Sequence, residues 1–340
     1  MKTPASLFRL GRTLSEYKRK RETVHSMPVR LWVETSTVCN LECTMCPNKD
    51  LPPESKSVMD LALFEKIVDE ASGFANDIYL HHRGEPLINP QLFSMIRYAE
   101  DAGLRTRFHT NGTMMTSRRA DNLLDAAPSM ISFSVDGFSK EPYERVRQGA
   151  SFEKTIENIL YLTRRKRERK LKKPYIVVER IRFKEPDPEE SEEAISAVRQ
   201  QLLDAGVDEV IEKDEYEWTQ GDTPEQSGPR VRDCCTFPWY AMVICADGTV
   251  TPCPQDFEAA MPMGNVRNAS LREIWNDEPY RKLRRAFRED LDSLELCSKC
   301  DRLCRKTVGG VPVQYAKTFF VDQFLGYGKL RKLVGTAERN

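Results

Sequence analysis

The chain has 340 residues, of which 40% are apolar and 31% charged, and its 52 basic residues balance 52 acidic ones. Chains of this length usually outgrow a single hydrophobic core, so we expect one large domain and one smaller domain. The zero net charge gives no field that would select nucleic acid, and the apolar runs are too short to span a membrane. The N-terminus lacks the apolar segment of a secretory signal, which favours a cytoplasmic protein without stable membrane association.

Short β-like runs alternate with amphipathic helical runs from about residue 31 to residue 212, a pattern typical of βα units around a parallel sheet. The run RLWVET is the first predicted strand, and the helix after it has Asp60 as its predicted N-cap and Gly73 as its stop. The later elements are predicted as strand 77–82, helix 90–103, strand 105–110, helix 116–127, strand 130–137, helix 151–170, strand 175–183, helix 187–206 and strand 208–213. About six strand and helix repeats therefore form the predicted α/β domain.

A polar segment rich in Gly and Pro follows this domain and is predicted to be a linker. The cysteine-rich part after it contains two β-like runs around Asp247 and Gly248, which is a strong hairpin signal. The expected organisation is a basic helical extension at 1–29, the α/β core at 30–214, a linker at 215–232, a small cysteine-rich domain at 233–308 and a tail at 309–340.

The ten cysteines fall into two groups separated by a long stretch without any. Thiol pools keep cytosolic cysteines reduced, so metal binding or catalysis explains them better than disulfides. In the first group, Cys39, Cys43 and Cys46 lie in the loop after the first strand, with no histidine close by. Three thiolates would leave a cubane iron–sulfur cluster with one iron open to a chelating ligand. A zinc site completed by a distant ligand, or chance spacing, is the alternative.

The stretch CNLECTMC resembles the cluster motif of radical S-adenosylmethionine (SAM) enzymes. The resemblance implies a partial (β/α)6 barrel in which the three cysteines hold a [4Fe–4S] cluster. It also implies that the open iron binds SAM, which is cleaved reductively to a 5′-deoxyadenosyl radical that abstracts hydrogen from the substrate.

Later motifs resemble the parts of that family that contact SAM. HHRGEP is similar to a Gly-Gly-Glu-Pro motif with Arg83 in place of the first glycine, a departure that puts the shape of this loop in question. Within it, Gly84 would allow close backbone approach and Glu85 would accept a hydrogen bond from the methionine ammonium. The resemblance further implies SAM contacts for Asn111 in HTNG, Ser134 in SFSVDG, Arg147 in VRQGASF and the backbone of Met45. The alternatives are an ordinary turn residue for Asn111 and Ser134, a surface arginine for Arg147 and a solvated loop carboxylate for Glu85.

The cysteine-rich part resembles the SPASM and Twitch extensions of radical SAM enzymes. The resemblance implies one auxiliary [4Fe–4S] cluster held by Cys235, Cys253, Cys297 and Cys300. Cys234 and Cys304 are spare thiols that could replace one of these ligands, and Cys245 is predicted to be a buried apolar residue. A zinc ribbon is the alternative, because four thiolates also suit zinc.

The expected function is the oxidation or rearrangement of a small polar molecule, similar to a sugar or cyclitol, by a radical SAM oxidoreductase that is dehydrogenase-like or epimerase-like. In similar family members an auxiliary cluster takes the second electron when a cyclitol carbon radical becomes a ketone. The resemblance implies a flavodoxin- or ferredoxin-type reductant. The first alternative is a peptide-modifying enzyme. It is disfavoured because only some thirty residues precede the first strand, too few for the leader-peptide-binding domain that many peptide-modifying relatives carry there. The second alternative is an iron–sulfur electron carrier or a zinc protein. The sequence identifies no catalytic residue acting on the substrate, although His81 and His82 could line the cavity above the cluster.

Overall fold

The computed structural model describes residues 4–185, 187, 189–215, 235–300, 303 and 307–313. The chain divides into two compact units. We call the first the sheet unit, which comprises Arg30–Tyr216 and Val243–Thr249. We call the second the cysteine-rich unit, which comprises Met1–Val29, Glu217–Met242 and Val250–Asn340. Among the described residues, no helix has the length and apolar character needed to cross a membrane.

The sheet unit alternates strands and helices along the chain. Its strands are β1 (Arg30–Val33), β2 (Asp77–Tyr79), β3 (Arg105–Thr110), β4 (Met130–Ser134), β5 (Tyr175–Arg182) and β6 (Glu209–Asp214). Its helices are α2 (Leu61–Ala71), α3 (Leu92–Asp101), α4 (Ser117–Ala126), α5 (Lys140–Val146), α6 (Phe152–Glu168) and α7 (Glu192–Ala205), and they follow α1 (Pro4–Lys18) of the other unit. Short 3-10 turns lie at Pro47–Asp50, Pro53–Ser55 and Pro86–Ile88.

The six strands form one parallel array in the order β6-β5-β4-β3-β2-β1. Neighbouring strands in the sheet are thus neighbours in sequence, with a helical connection between each pair, as right-handed βα repeats require. All six strands therefore direct their carboxyl ends to one edge, where parallel sheets place their ligands. The α/β fold class with a partial (β/α)6 barrel is confirmed.

The two faces of this sheet differ in chemistry, because alternate residues of a strand point to opposite faces. One face is apolar and fully buried, with residues such as Leu31, Ile78, Phe108, Ile131 and Val178 at 0% exposure. The positions between them carry polar and aromatic side chains: Arg30, Trp32, Asp77, Tyr79, Arg107, His109, Ser132, Glu179 and Lys213. We call this second surface the polar face. Its amphipathic character identifies it as the inner face of the barrel.

Side-chain caps fix where several helices begin. Asp60 accepts a hydrogen bond from the amide of Leu63 at 2.8 Å, which confirms the cap predicted for α2. Thr116 and Ser191 cap α4 and α7 in the same way.

The predicted hairpin is present at 243–249 in the sheet unit. The amide of Cys245 donates to the carbonyl of Thr249 at 2.8 Å, and Gly248 has a φ of 95°, which the tight turn requires. The amide of Glu34, just after β1, donates to the carbonyl of Ile244. This short segment therefore lies beside the loop that leaves β1.

The cysteine-rich unit is built on aromatic side chains. Its elements include α1, α8 (Phe237–Tyr240), β9 (Gly264–Asn265), α9 (Leu271–Asn276), α10 (Glu278–Glu289), α11 (Glu295–Ser298), β10 (Thr307–Val308) and β11 (Val311–Pro312). The boundaries between the two units fall within β7 (Ala241–Ile244) and β8 (Thr249–Thr251). Trp239 and Trp275 are fully buried, and their indole nitrogens donate to the carbonyls of Arg21 and Ser26. Both tryptophans therefore anchor the N-terminal segment 21–26 to the core of this unit.

The linker at 215–232 and the tail at 309–340 lie almost wholly outside the described residues, as do Cys234 and Cys304. The domain limits expected from the sequence stay a prediction.

Candidate active site

The loop that carries the first three cysteines is held in place by backbone hydrogen bonds. The amides of Glu42 and Thr44 donate to the carbonyls of Gln148 and Val146 at 3.2 and 3.0 Å. These two residues flank Arg147: Val146 is the last residue of α5, and Gln148 lies in the segment between α5 and α6. The loop after β1 is thereby hydrogen-bonded to a part of the chain that follows β4, about 100 residues later in the sequence.

Cys39, Cys43 and Cys46 form one electrostatic group. Burial raises the pKa of each thiol, and each thiol also feels the charge of another member of the trio: Cys43 acts on Cys39, Cys46 on Cys43, and Cys39 on Cys46. Cys43 is buried, and Cys39 and Cys46 are half-buried. Three such thiols disfavour one another as thiolates, so they need a cationic partner to ionise together. The iron ions of an iron–sulfur cluster are such a partner, because they bind soft thiolate ligands. This donor set therefore fits a cluster bound by three thiolates.

Arg147 lies against this group. Its Nη1 is 3.8 Å from the Sγ of Cys43, and its Nη2 donates to the carboxylate of Asp136. Although burial alone would lower the pKa of Arg147, the negative charges of Asp136 and Cys43 raise it. Its Nε is buried and has no hydrogen-bond partner among the described residues. A buried guanidinium with an unused donor beside the thiols fits a carboxylate ligand.

The carboxylate of Glu85 is buried next to the same loop. It accepts hydrogen bonds from the amides of Leu87 and Asn111 at 2.9 and 2.7 Å and from the hydroxyl of Thr110 at 2.8 Å. Burial outweighs these bonds and raises the pKa of Glu85. The carboxylate is thus rigidly placed between β2 and β3, and a cation would stabilise its ionised form.

Gly84 packs directly on the backbone that leads into the cysteine loop. A Cβ at this position would lie 2.4 Å from the carbonyl oxygen of Ser36 and 2.6 Å from that of Val38. The amide of Glu85 donates to the same Val38 carbonyl. No side chain larger than hydrogen fits here, because the neighbouring atoms are backbone.

Arg83, which departs from the family motif, has a definite partner. Its Nε and Nη2 donate to the two oxygens of Glu34 at 2.8 and 2.6 Å, and both side chains are buried. The Glu34 carboxylate also accepts from the hydroxyl of Thr37 and the amide of Ala246. Arg83 is outside the left-handed region of φ. The loop therefore does not require glycine at this position.

The remaining SAM candidates are connected to the site to different degrees. The side-chain amide of Asn111 donates to the side-chain oxygen of Asn40, next to Cys39. Ser134 is half-buried at the end of β4, in register with Glu179. Met45 is half-buried in the cysteine loop. Among the described residues, no hydrogen bond joins the side chain of Met45 or Ser134 to the cysteine trio.

The sequence analysis missed Glu34, Asp136 and Asn48 as supports of the site. Asn48, two residues after Cys46, donates to the carbonyls of Thr37 and Arg83 and so links the cysteine loop to the loop after β2. Asp136 belongs to the SFSVDG motif, in which the sequence analysis singled out Ser134 and not the aspartate. Their partners are 11 to 49 residues away in sequence, so local patterns gave no signal for these contacts.

Four cysteines of the cysteine-rich unit form a second group. The thiol of Cys297 interacts electrostatically with those of Cys253, Cys235 and Cys300, and burial raises its pKa well above the ordinary value. The amide of Cys300 donates to the carbonyl of Cys297 at 3.1 Å, so a single turn presents both thiols. Four half-buried thiols grouped in this way fit an iron–sulfur cluster with every iron ligated. Among the described residues, no three His, Cys, Asp or Glu side chains are preformed as a site for a single metal ion.

Both cysteine groups lie within regions of the chain that match known protein families. Residues 33–178 match the radical SAM superfamily, and residues 234–301 match the SPASM domain, an iron–sulfur cluster-binding domain. The protein is a radical SAM enzyme with a C-terminal SPASM domain. A radical SAM domain uses a [4Fe–4S] cluster and SAM, and a SPASM domain binds auxiliary iron–sulfur clusters. The expected family and classes of cofactor are confirmed.

Three curated relatives illustrate the range of this family. The chain is 23% identical over 281 residues to the S-adenosyl-L-methionine-dependent 2-deoxy-scyllo-inosamine dehydrogenase of Niallia circulans, which covers 81% of this chain and 93% of that protein. It is 26% identical over 299 residues to a tungsten-containing aldehyde ferredoxin oxidoreductase cofactor-modifying protein of Pyrococcus furiosus, covering 74% of this chain and 81% of that protein. A match of 31% to the AdoMet-dependent heme synthase of Methanosarcina barkeri spans 127 residues, 37% of this chain and 36% of that protein.

Solved structures share the fold. BtrN in complex with AdoMet and 2-DOIA superposes with a TM-score of 0.53 at 20% identity, covering 81% of this chain and 93% of that chain. SuiB of Streptococcus suis bound to the precursor peptide SuiA superposes with a TM-score of 0.60 at 16% identity, covering 88% of this chain and 77% of that chain. At these identities the likeness concerns the fold alone.

Proposed function

We propose that this radical SAM enzyme oxidises a secondary alcohol of a small, sugar-like or cyclitol-like molecule to a ketone. The observation that carries the proposal is the pairing of two different thiol groups, one with three cysteines and one with four. The first leaves an open iron for SAM, and the second is fully ligated and suits electron transfer. An alcohol oxidation that begins with hydrogen abstraction needs such an acceptor for one further electron.

The cofactors are assigned to residues as follows. Cys39, Cys43 and Cys46 would hold the SAM-binding [4Fe–4S] cluster, and Cys235, Cys253, Cys297 and Cys300 one auxiliary [4Fe–4S] cluster. When bound, these groups supply reductive cleavage of SAM and an acceptor for an electron. Gly84, Glu85, Asn111, Ser134, Arg147 and the backbone of Met45 would line the SAM site.

The charges of the site suit the two ends of the methionine part of SAM. The buried carboxylate of Glu85 would receive the ammonium group, which relieves the cost of its own burial. The unused Nε of Arg147 would donate to the SAM carboxylate. The chain would thus orient SAM by two opposite charges that both act on the cysteine trio.

The chemistry of the proposed substrate is inferred from the side chains of the polar face. Aromatic, imidazole, hydroxyl, amine and carboxylate groups alternate there with the buried apolar positions. Such a surface offers hydrogen bonds to a polyhydroxylated molecule and stacking for its ring. The 23% identity to the inosamine dehydrogenase, over nearly the whole of that protein, supports the same class of substrate.

We further propose a cytoplasmic enzyme that takes electrons from a flavodoxin- or ferredoxin-type protein, without nucleic acid or stable membrane association. The second candidate function is modification of a peptide, favoured by the shared fold with SuiB bound to its precursor peptide. A non-catalytic electron carrier or a zinc protein would lack SAM cleavage altogether.

The test uses the full chain reconstituted anaerobically with iron and sulfide, reduced with dithionite and supplied with SAM. The probes are 2-deoxy-scyllo-inosamine, myo-inositol and scyllo-inositol, each with deuterium on its carbinol carbons. We expect 5′-deoxyadenosine that contains deuterium, together with a carbonyl product trapped by hydroxylamine. The control is the variant with Cys39, Cys43 and Cys46 all replaced by alanine, which should form neither product.

Two results would contradict the proposal. Absence of 5′-deoxyadenosine from the reconstituted wild type would leave the electron-carrier or zinc alternative. Formation of 5′-deoxyadenosine without deuterium transfer or carbonyl product from any of the polyols would overturn the alcohol oxidation and favour the peptide alternative.

A further inference from the structure

Four ionisable side chains form a connected row near the carboxyl ends of β2, β3, β5 and β6. The Nζ of Lys213 is 2.5 Å from Oε2 of Glu179, and the same Oε2 is 3.5 Å from Nδ1 of His109. The backbone amide of His109 donates to Nδ1 of His81 at 3.2 Å. The two imidazole rings are stacked with centroids 4.2 Å apart. We call these four residues the histidine row.

The histidine row lies on the polar face and is partly open. The side chain of His109 is 25% exposed and that of Lys213 is 49% exposed, whereas the Glu179 carboxylate between them is only 10% exposed. The strand positions on the opposite face are apolar and fully buried. A carboxylate–lysine pair alone would be an ordinary structural ion pair. The addition of a partly open imidazole at the catalytic edge of the sheet makes the row a candidate for proton transfer.

The charges around His109 keep its ring neutral near pH 7. Burial and the Lys213 ammonium lower the pKa of His109, while the Glu179 carboxylate acts in the opposite direction, and the net pKa is below the ordinary value. Burial and the neighbouring imidazoles lower the pKa of His81 further. Burial opposes ionisation of Glu179, but His109 and Lys213 hold its pKa at about 2. A neutral imidazole beside a carboxylate is able to accept a proton.

The position of Glu179 also determines which nitrogen of His109 would accept a proton. Because the Glu179 carboxylate faces Nδ1 of His109, it favours the tautomer with the proton on that nitrogen. Nε2 then carries the lone pair. The stacked His81 ring and the hydrogen bond to the His109 amide hold the strand and ring in place, as a supporting group does for a base.

We propose that His109 is the general base that accepts the hydroxyl proton of the substrate, with Glu179 and His81 as its positioning residues. This inference rests on the proposed alcohol oxidation. Conversion of a secondary alcohol to a ketone releases one hydrogen atom, one proton and one electron. The hydrogen atom goes to the 5′-deoxyadenosyl radical, the proton to Nε2 of His109, and the electron to an iron–sulfur acceptor. Loss of the hydroxyl proton makes a carbon radical a stronger reductant, so a base at this point promotes the electron loss.

The first experiment separates proton transfer from hydrogen abstraction. The variant His109→Gln is compared with wild type on whichever deuterated polyol of the panel the wild type oxidises. We expect deuterium still to enter 5′-deoxyadenosine, while the carbonyl product formed per 5′-deoxyadenosine falls by about 100-fold, the usual scale for a lost general base. The control is His25→Gln, at an exposed position of the cysteine-rich unit, which should retain the wild-type ratio.

The second experiment measures the histidines directly, without substrate. The chain contains only four histidines, so NMR of the ring carbons in the oxidised, cluster-loaded protein gives four signals, and His109→Gln identifies one of them. We expect this signal to titrate below the ordinary histidine pKa of about 6.5. Glu179→Gln should lower its pKa further, and Lys213→Met should raise it, because each change removes one neighbouring charge.

The outcomes distinguish the two proposals. If no polyol is oxidised by wild type, the proposed function fails, and the NMR titration still tests the state of His109. If wild type forms the ketone and His109→Gln forms it with the same yield per 5′-deoxyadenosine, the base assignment is wrong and the function stands. A His109 pKa at or above about 6.5, or one unmoved by Glu179→Gln, would also overturn the assignment. Unchanged signals of His25 and His82 show that the variants are folded, whereas the signal of His81, whose ring stacks on His109, is expected to shift.

Discussion

Arg83 donates two parallel side-chain hydrogen bonds to Glu34, which joins the loop after β2 to the end of β1. Both side chains are almost inaccessible to solvent, at 5% and 0% exposure. Burial works against ionisation of Glu34, but the hydrogen bonds and charge of Arg83 hold its pKa below the ordinary value. The arginine that departs from the family motif therefore stabilises the base of the active-site loops.

Breaking this pair should destabilise the protein strongly. Arg83→Met leaves the Glu34 carboxylate buried without its cation, which costs about 3–5 kcal/mol in comparable buried pairs. We expect this loss in the free energy of unfolding, measured by urea denaturation of the cluster-loaded protein. The matched control is Arg182→Met, which breaks the exposed pair with Asp214 and should change stability by less than about 1 kcal/mol. Equal effects of the two variants would contradict the role of the buried pair.

Gly84 and Gly73 provide a second matched comparison. Gly84→Ala would push a Cβ against the backbone of Ser36 and Val38, and those atoms cannot move without displacing the cysteine loop. Gly73→Ala meets no atom within 4 Å. We expect Gly84→Ala to lose most of the iron of the SAM-binding cluster after reconstitution, while Gly73→Ala keeps the wild-type iron content. Full iron content and SAM cleavage in Gly84→Ala would show that the loop tolerates a side chain.

The sequence predicted the parts of this protein that depend on local patterns. The β1 strand, the Asp60 cap, the Asp247-Gly248 hairpin and the six strand and helix repeats follow from period, capping and turn chemistry, and the structure confirms them. The cysteine spacing was equally local, and the family comparison confirms the two classes of cluster.

The sequence did not predict contacts between residues distant along the chain. The Glu34–Arg83 pair spans 49 positions, and Glu179 lies 34 positions from Lys213. Such partners are set by strand order and register, which local patterns leave open. His81 was considered as a cavity residue, but the stacked His109 and the Glu179 carboxylate that give it chemical meaning arise only when β2, β3 and β5 come together.

The two groups of cysteines predict that the bound iron is shared between two separate clusters. Reconstituted wild type should hold about eight irons and eight sulfides per chain, as two cubanes require. Replacing Cys43 or Cys297 by alanine should each remove about four irons, from different clusters, as seen by chemical analysis and by electron paramagnetic resonance of the reduced protein. Cys245→Ala, at a buried position in the hairpin segment, should keep all of them. Loss of the same signal in both the Cys43 and Cys297 variants would contradict the assignment of two separate clusters.

Arg147 is predicted to bind the SAM carboxylate. Arg147→Met removes the buried guanidinium and should weaken SAM binding to the oxidised, cluster-loaded protein by about 10- to 100-fold, the scale of a charged hydrogen bond. Because this change also leaves Asp136 without its partner, the double variant with Asp136→Asn tests binding without a buried unpaired charge. Arg145→Met, at an exposed position on α5, is the control. Equilibrium dialysis with labelled SAM measures the affinity, and a change of less than about threefold in both Arg147 variants would contradict the role.

Glu179 should make stability depend on acid pH in a defined direction. Burial opposes its ionisation, yet His109 and Lys213 lower its pKa to about 2, below the value of about 4.3 expected in the unfolded chain. A carboxyl whose pKa is depressed by folding stabilises the native state above the unfolded pKa, and this contribution disappears as the pH falls toward the folded value. Between pH 5 and pH 3 wild type should therefore lose about 1–2 kcal/mol more of its unfolding free energy than Glu179→Gln does. Urea denaturation of both proteins across this range measures the difference. Glu192→Gln, in the first turn of α7 on an exposed surface, serves as the control and should follow the wild-type curve. Parallel curves for wild type and Glu179→Gln would mean that the Lys213 and His109 charges do not stabilise the ionised carboxyl.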